Sequence, residues 1–112
     1  MKKILFVCSA NKQRSKTGED FFSESHLNYH FNSAGTNHKI CNKEGTNPLT
    51  EDLIEWADLI FVMENKHRDL VIKNTTSKVS NKIVVLHIKD VYKYYQKELI
   101  SLLKEKVTPY LN

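Results

Sequence analysis

Cysteine is scarce in this 112-residue chain. The two residues present, Cys8 and Cys41, are too few for the disulfide framework of a small secreted scaffold. Long apolar runs are missing too. The longest, such as Ile4–Cys8 and Ile83–Leu86, reach four or five residues, against the ~20 that a membrane-spanning helix needs. The apolar part of MKKILFVCSANK is too short for the apolar region of a signal peptide, and Asn11 and Lys12 stand where a small-residue cleavage site belongs. These absences predict a cytoplasmic chain with no membrane segment. His38-x-x-Cys41 is half of a metal site, but no second ligand pair follows at zinc spacing. Neither a metal nor another cofactor is expected. No internal repeat, low-complexity tract or linker divides the sequence, so residues 1–112 are read as a single domain.

What is present is globular in composition, with 40% hydrophobic and 27% charged residues. The net charge is +4, and it is unevenly placed: residues 1–56 hold seven basic and seven acidic residues, residues 57–112 ten and six. That mild excess suits an anionic partner. It falls short of the dense basic stripe of a nucleic-acid-binding surface. Nothing in the sequence sets the oligomeric state.

Short apolar runs alternate with helical patterns. Lys3–Cys8, Tyr29–Asn32, Asp58–Met63 and Lys82–Ile88 read as strands. Helices are predicted over Lys16–Ser25 with Ser15 as N-cap, from Thr50 to about Trp56, over Glu64–Lys73 with His67, Leu70 and Val71 on one face, and over Gln96–Val107. Ser33-Ala34-Gly35 reads as a turn, and residues 36–48, 74–81 and 89–95 as loops. Continuous apolar strands separated by helices predict an α/β three-layer sandwich with about four parallel strands and helices on both faces. Ligands of such sheets bind beyond the strands' carboxyl ends. The loops that open there start at Cys8, Ser33, Met63 and Ile88.

The first of these loops, Cys8-Ser9-Ala10-Asn11-Lys12-Gln13-Arg14-Ser15, has the chemistry of an anion cradle. Backbone N–H groups of a tight strand-to-helix loop and the helix N-terminus favour negative charge. Together with Arg14 they favour the thiolate of Cys8. Arg14 has the planar fork that grips two phosphoryl oxygens. The hydroxyl of Ser15 is able to donate to the Cys8 sulfur, and Asn11 tolerates a left-handed backbone. A bare cysteine at a strand end is more often structural; the arginine and serine at these offsets shift the balance to function.

This loop resembles the C-x5-R-[ST] signature of cysteine-dependent phosphatases, specifically the low-molecular-weight protein tyrosine phosphatase family. In larger tyrosine and dual-specificity phosphatases the signature lies late in the chain; here it comes first. The resemblance extends almost throughout: Ser33-Ala34-Gly35-Thr36 looks like the family's SAGT turn, Ala57–Met63 followed by Glu64 like its next strand, and Ile88-Lys89-Asp90-Val91-Tyr92 like its I-P-D-P-Y loop. It implies hydrolysis of a phosphorylated protein or a small aryl phosphate, with Cys8 as nucleophile, Arg14 on the phosphate and Asp90 as general acid. The other residues of the loop, from Ser9 to Ser15, would line the phosphate. Tyr92 is expected as an aromatic wall and Ser33 as a support bonded to Asn11 or to the loop backbone. Departures from the family pattern are Ala10 for a common glycine, Gln13 for a frequent second cysteine, Lys16 and Val91 for prolines, and a short stretch between Gly35 and Trp56.

Residue types alone leave other readings open. Asp90 also fits an ordinary turn aspartate. Tyr92, Tyr94 and Tyr95 also fit packing or exposed loop positions. His67 and Trp56 are read as packing residues, His87 as a core histidine and Cys41 as a loop thiol with no role. The functional alternatives are a pseudo-phosphatase module that binds phosphate or a phosphopeptide, a thiol-dependent arsenate reductase lacking its downstream cysteines, and an RNA-associated phosphatase.

Overall fold

The computed structural model describes residues 2–76 and 78–111. Met1, Ser77 and Asn112 lie outside the described residues, and with them both ends of the expected 1–112 unit and one position of the predicted 74–81 loop. Four strands, β1 (Lys2–Cys8), β2 (Tyr29–Gly35), β3 (Leu59–Val62) and β4 (Ile83–Val85), form one sheet in the order β2-β1-β3-β4. Every pairing is parallel. The two-residue period of β1 divides the interior. Ile4, Phe6 and Cys8 join one buried cluster with Phe22 of α1 (Arg14–Ser25) and with Leu99, Leu103 and Val107 of α5 (Lys97–Val107). Leu5 and Val7 join the other, with Ile54 of α3 (Glu51–Trp56) and Val71 of α4 (Asn65–Lys73). Each such side chain contributes about 1.5–3 kcal/mol on burial. The expected sandwich is the observed one.

Boundaries differ where small or polar residues hid the signal. The predicted turn Ser33-Ala34-Gly35 is instead the end of β2, paired with Phe6, Val7 and Cys8. Small side chains are required there because a Cβ on Gly35 would lie 2.5 Å from the Ser9 carbonyl oxygen and 2.6 Å from Cys41 Sγ. The predicted 36–48 loop contains a helix, α2 (His38–Glu44). Asn37 caps it by accepting from the Ile40 N–H at 3.1 Å, and Gly45 ends it at φ 72°. Cys41 is its one buried residue, so no apolar periodicity announced it.

β4 is shorter than the predicted 82–88 strand. The chain still donates from Leu86 to Val62 and from Ile88 to Met63, just past β3, but His87 between them adopts φ 56° and is exposed, not a core histidine. Thr50 caps α3 as expected, its hydroxyl oxygen 3.2 Å from the Leu53 N–H. Ser15 does not cap α1, which starts at Arg14; the Ser15 hydroxyl is used elsewhere.

Candidate active site

β1 has β2 on one side and β3 on the other, so the loops leaving β1 and β3 diverge to opposite faces and open a crevice at the carboxyl edge. The loop after β1 fills it. Cys8, Ser9, Ala10, Lys12, Gln13 and Arg14 line a cavity of about 200 Å³, completed by Ile40 and Asp90. Asn11 and Ser15, both buried, lie behind the loop. Asn11 adopts φ 54°, the left-handed conformation its side chain tolerates.

A hydrogen-bond chain ends on the cysteine. The backbone N–H of Asn47, which is only a donor, reaches Asn11 Oδ1 at 3.0 Å. That fixes the amide, so Asn11 Nδ2 donates to Ser15 Oγ at 2.9 Å. Ser15 Oγ therefore accepts from Asn11, and its own proton is available to Cys8 Sγ, 2.9 Å away, which as a thiolate can only accept.

The loop backbone is held from the same side. Thr36 and Asn37 donate their N–H groups to the carbonyls of Cys8 and Ser9 at 2.9 and 3.0 Å. Thr46 Oγ1 donates to the Ala10 carbonyl at 2.6 Å, with the Cys41 thiol 3.6 Å from the same oxygen. Cys41 is thus a buried helix residue beneath the loop, not an idle loop thiol.

Arg14 is 2% exposed. Its Nη1 donates to Glu64 Oε2 at 2.5 Å and to the Ile88 carbonyl at 2.7 Å. Both protons of that nitrogen are committed, which leaves the Nε–Nη2 edge for a ligand. Asp90 Oδ1 is 3.7 Å from Nε, with its side chain 66% exposed. The hydrogen bond from Arg14 holds the Glu64 carboxyl below its ordinary range.

His67 is fully buried. Its Nδ1 accepts from the Glu64 N–H at 3.0 Å, so in the neutral ring Nε2 carries the proton and donates to Ser9 Oγ at 2.9 Å. Burial, and next to it the charge of Arg14, push its pKa down to about 4. His67 is therefore more than the packing residue expected from the sequence. Glu64 and His67 form a reciprocal cap at the start of α4, a pairing outside the usual Ser/Thr-x-x-Glu/Gln signature.

Two expected partners lie elsewhere. Ser33 Oγ donates to Glu19 Oε1 at 2.5 Å and does not bond to Asn11 or to the loop; its carbonyl meets the network only through Asn47 Nδ2, at 2.8 Å. Tyr92 packs against the cluster on the α1/α5 face and is not among the residues lining the cavity. Tyr94 donates to Asp20 at 2.6 Å, and that bond raises its pKa to about 12. The aliphatic wall beside Cys8 is Ile40, which lay in the segment read as loop.

No family model matches the chain. The low-molecular-weight protein-tyrosine-phosphatase PtpB of Staphylococcus aureus is 27% identical, over 90% of this chain and 94% of the relative. The tyrosine phosphatase AmsI of Erwinia amylovora superposes with a TM-score of 0.79 at 27% identity, over 99% of this chain and 91% of that one. In sequence and in fold the chain resembles low-molecular-weight protein tyrosine phosphatases. Another solved structure, Vibrio vulnificus Wzb in complex with benzylphosphonate, superposes with a TM-score of 0.78 at 25% identity, over 97% of this chain and 96% of that one. These relatives are cysteine-dependent phosphohydrolases.

Proposed function

We propose that residues 1–112 act as one catalytic unit that hydrolyses phosphomonoesters, protein phosphotyrosine or small aryl phosphates, through a cysteinyl-phosphate. The observation that carries this reading is the hydrogen-bond chain from Asn47 through Asn11 and Ser15 to Cys8 Sγ. A serine proton aimed at sulfur stabilises a thiolate, which is both the attacking group and the group displaced later.

In the first step the Cys8 thiolate attacks phosphorus, the P–O bond to the substrate oxygen breaks, and Asp90 protonates that oxygen. In the second, water attacks phosphorus, Asp90 takes its proton, the S–P bond breaks and inorganic phosphate leaves. The Nε–Nη2 edge of Arg14 and the loop's backbone N–H groups hold the equatorial oxygens through both steps. Glu64 keeps the guanidinium oriented. Asp90 owes its role to its place on the wall of the Cys8 cavity and its access to solvent. Tyr92 contributes by backing the loop that carries Asp90. Nucleic acid is not the proposed substrate, and the proposed setting is the cytoplasm, where the two free thiols persist.

The test is turnover of p-nitrophenyl phosphate by wild type and Cys8→Ser, with trapping of phosphate on the protein. Wild type turns over and traps phosphate on Cys8, while the variant binds inorganic phosphate without turnover. Tight phosphate binding by a wild type that hydrolyses no aryl phosphate would make the protein a binding module instead.

A further inference from the structure

Ser9 lines two spaces. One is the cavity of about 200 Å³ at Cys8; the other is a groove of about 470 Å³ between the start of α2 and the outer face of α4. The groove has an apolar floor at Leu70, amides from Asn37 and Asn74, and two basic side chains, His38 and Lys66. No carboxylate lines it. Lys66 also borders a neighbouring hollow of about 360 Å³ with Lys89 and His87, whose one acid, Glu64, is committed to Arg14.

The cations differ in their pairing. Lys12, on the opposite rim, lies 3.7 Å from Glu44. Lys66 has no ion pair among the described residues, and the acid on its own helix, Asp69, lies beside Arg68 at 3.9 Å. An unpaired lysine in a groove continuous with the phosphate loop attracts further negative charge on the substrate.

We infer that this groove binds the residues next to the phosphorylated one, and that the substrate is a phosphopeptide segment carrying Asp or Glu beside its phosphoresidue, with that carboxylate on Lys66. The inference rests on the phosphatase reading for its chemistry. The occupant is a peptide because the groove pairs an apolar floor and amides with a lysine, which suits a backbone and mixed side chains. No Phe, Tyr or Trp among the described residues lines it as a platform on which successive bases of a nucleic acid stack.

Two tyrosine phosphopeptides, identical except for flanking acids or flanking alanines, test it, with p-nitrophenyl phosphate as the reference substrate of wild type. Wild type prefers the acidic peptide in kcat/KM by about fivefold at low salt, the scale of one exposed ion pair, and the preference fades as salt rises. Lys66→Glu brings the ratio to unity or inverts it. Equal kcat/KM for the two peptides, with p-nitrophenyl phosphate turned over normally, overturns the inference and leaves the phosphatase reading intact. Binding of both peptides to Cys8→Ser is measured alongside. A Lys66-dependent acidic preference there, without turnover in wild type, sinks the phosphatase reading and keeps the groove. Tighter, Lys66-dependent binding of a 5′-phosphorylated oligonucleotide than of the acidic peptide also overturns it.

Discussion

The two flanks of the cavity are built differently. On the β2 side, residues 36–47 meet the phosphate loop through N–H groups, a hydroxyl and a buried thiol, and Gly35 permits an approach that no other residue would. On the β4 side, residues 86–95 cross the crevice mouth with positive φ at His87 and Tyr95, and most of the Asp90 side chain is in water. That strip is fastened towards its two ends: Leu86 and Ile88 donate to Val62 and Met63 and the Ile88 carbonyl accepts from Arg14, while the Tyr94 hydroxyl donates to Asp20 and the Tyr95 N–H to Thr17 Oγ1 at 2.9 Å. The group that must grip phosphate is thus prearranged, and the group that must trade protons with substrate and water is left room to adjust. Rigidity belongs where charge develops.

Damage to the tight flank should cost folding and chemistry together. Gly35→Ala forces a Cβ against the Ser9 carbonyl and Cys41 Sγ. It should lower stability by about 3 kcal/mol, the upper part of the overpacking range, and remove most turnover at temperatures where the variant is still folded. Urea unfolding and initial rates on one sample check both, and a Gly35→Ala variant with normal rates would mean the loop is not held from β2.

Damage to the loose flank should cost chemistry alone. Asp90→Asn should slow hydrolysis of phenyl phosphate by roughly 100-fold, the scale of lost general-acid catalysis, and slow p-nitrophenyl phosphate less in the first step. Its unfolding free energy should stay within ~0.5 kcal/mol of wild type, as for other exposed positions. A uniform slowing across leaving groups would move the acid to another residue.

The start of α4, which meets the loop at Ser9, carries a pH dependence. With its pKa lowered from 6.5 to about 4, His67 takes up a proton more readily in the unfolded chain than in the folded one. Its contribution is therefore complete above pH 6.5 and is lost as pH falls from 6.5 towards 4. By linkage the loss between pH 7 and pH 5 is about 2 kcal/mol. His67→Gln should be less stable at pH 7 but show a flatter acid limb in urea titrations. An unchanged slope in that variant would assign the acid sensitivity to other groups.

The sheet, its parallel sense and the phosphate loop were legible because apolar runs, the spacing of Cys8 from Arg14, and the tolerance of Asn11 for φ > 0 are local properties. Ser33 was misassigned because a hydroxyl's partner is set by tertiary approach, here by Glu19 one helix away. α2 was missed because one buried cysteine gives no period, although Asn37 and Gly45 bracket it as cap and stop. Glu64 and His67 were placed in a predicted helix, but their site partners, Arg14 and Ser9, are 50 and 58 residues distant in sequence. Contacts of that kind leave no trace in a window of neighbours.

Those sequence separations bear on how the chain acquires its activity. Synthesised from the N-terminus, it presents Cys8 and Arg14 early, yet Asn47 is 36 residues beyond Asn11 and Ile88 is 74 beyond Arg14. Parallel strands joined by long crossovers put the loop-closure entropy ahead of the contacts that repay it. The nucleophile exists before the cradle, and the cradle is complete only when the last strand docks. Catalytic competence should therefore arrive late and all at once during refolding, after the recovery of helical signal. A chain stopped short of Ile88 would carry the whole signature loop and still lack one of the two fixed partners of its arginine.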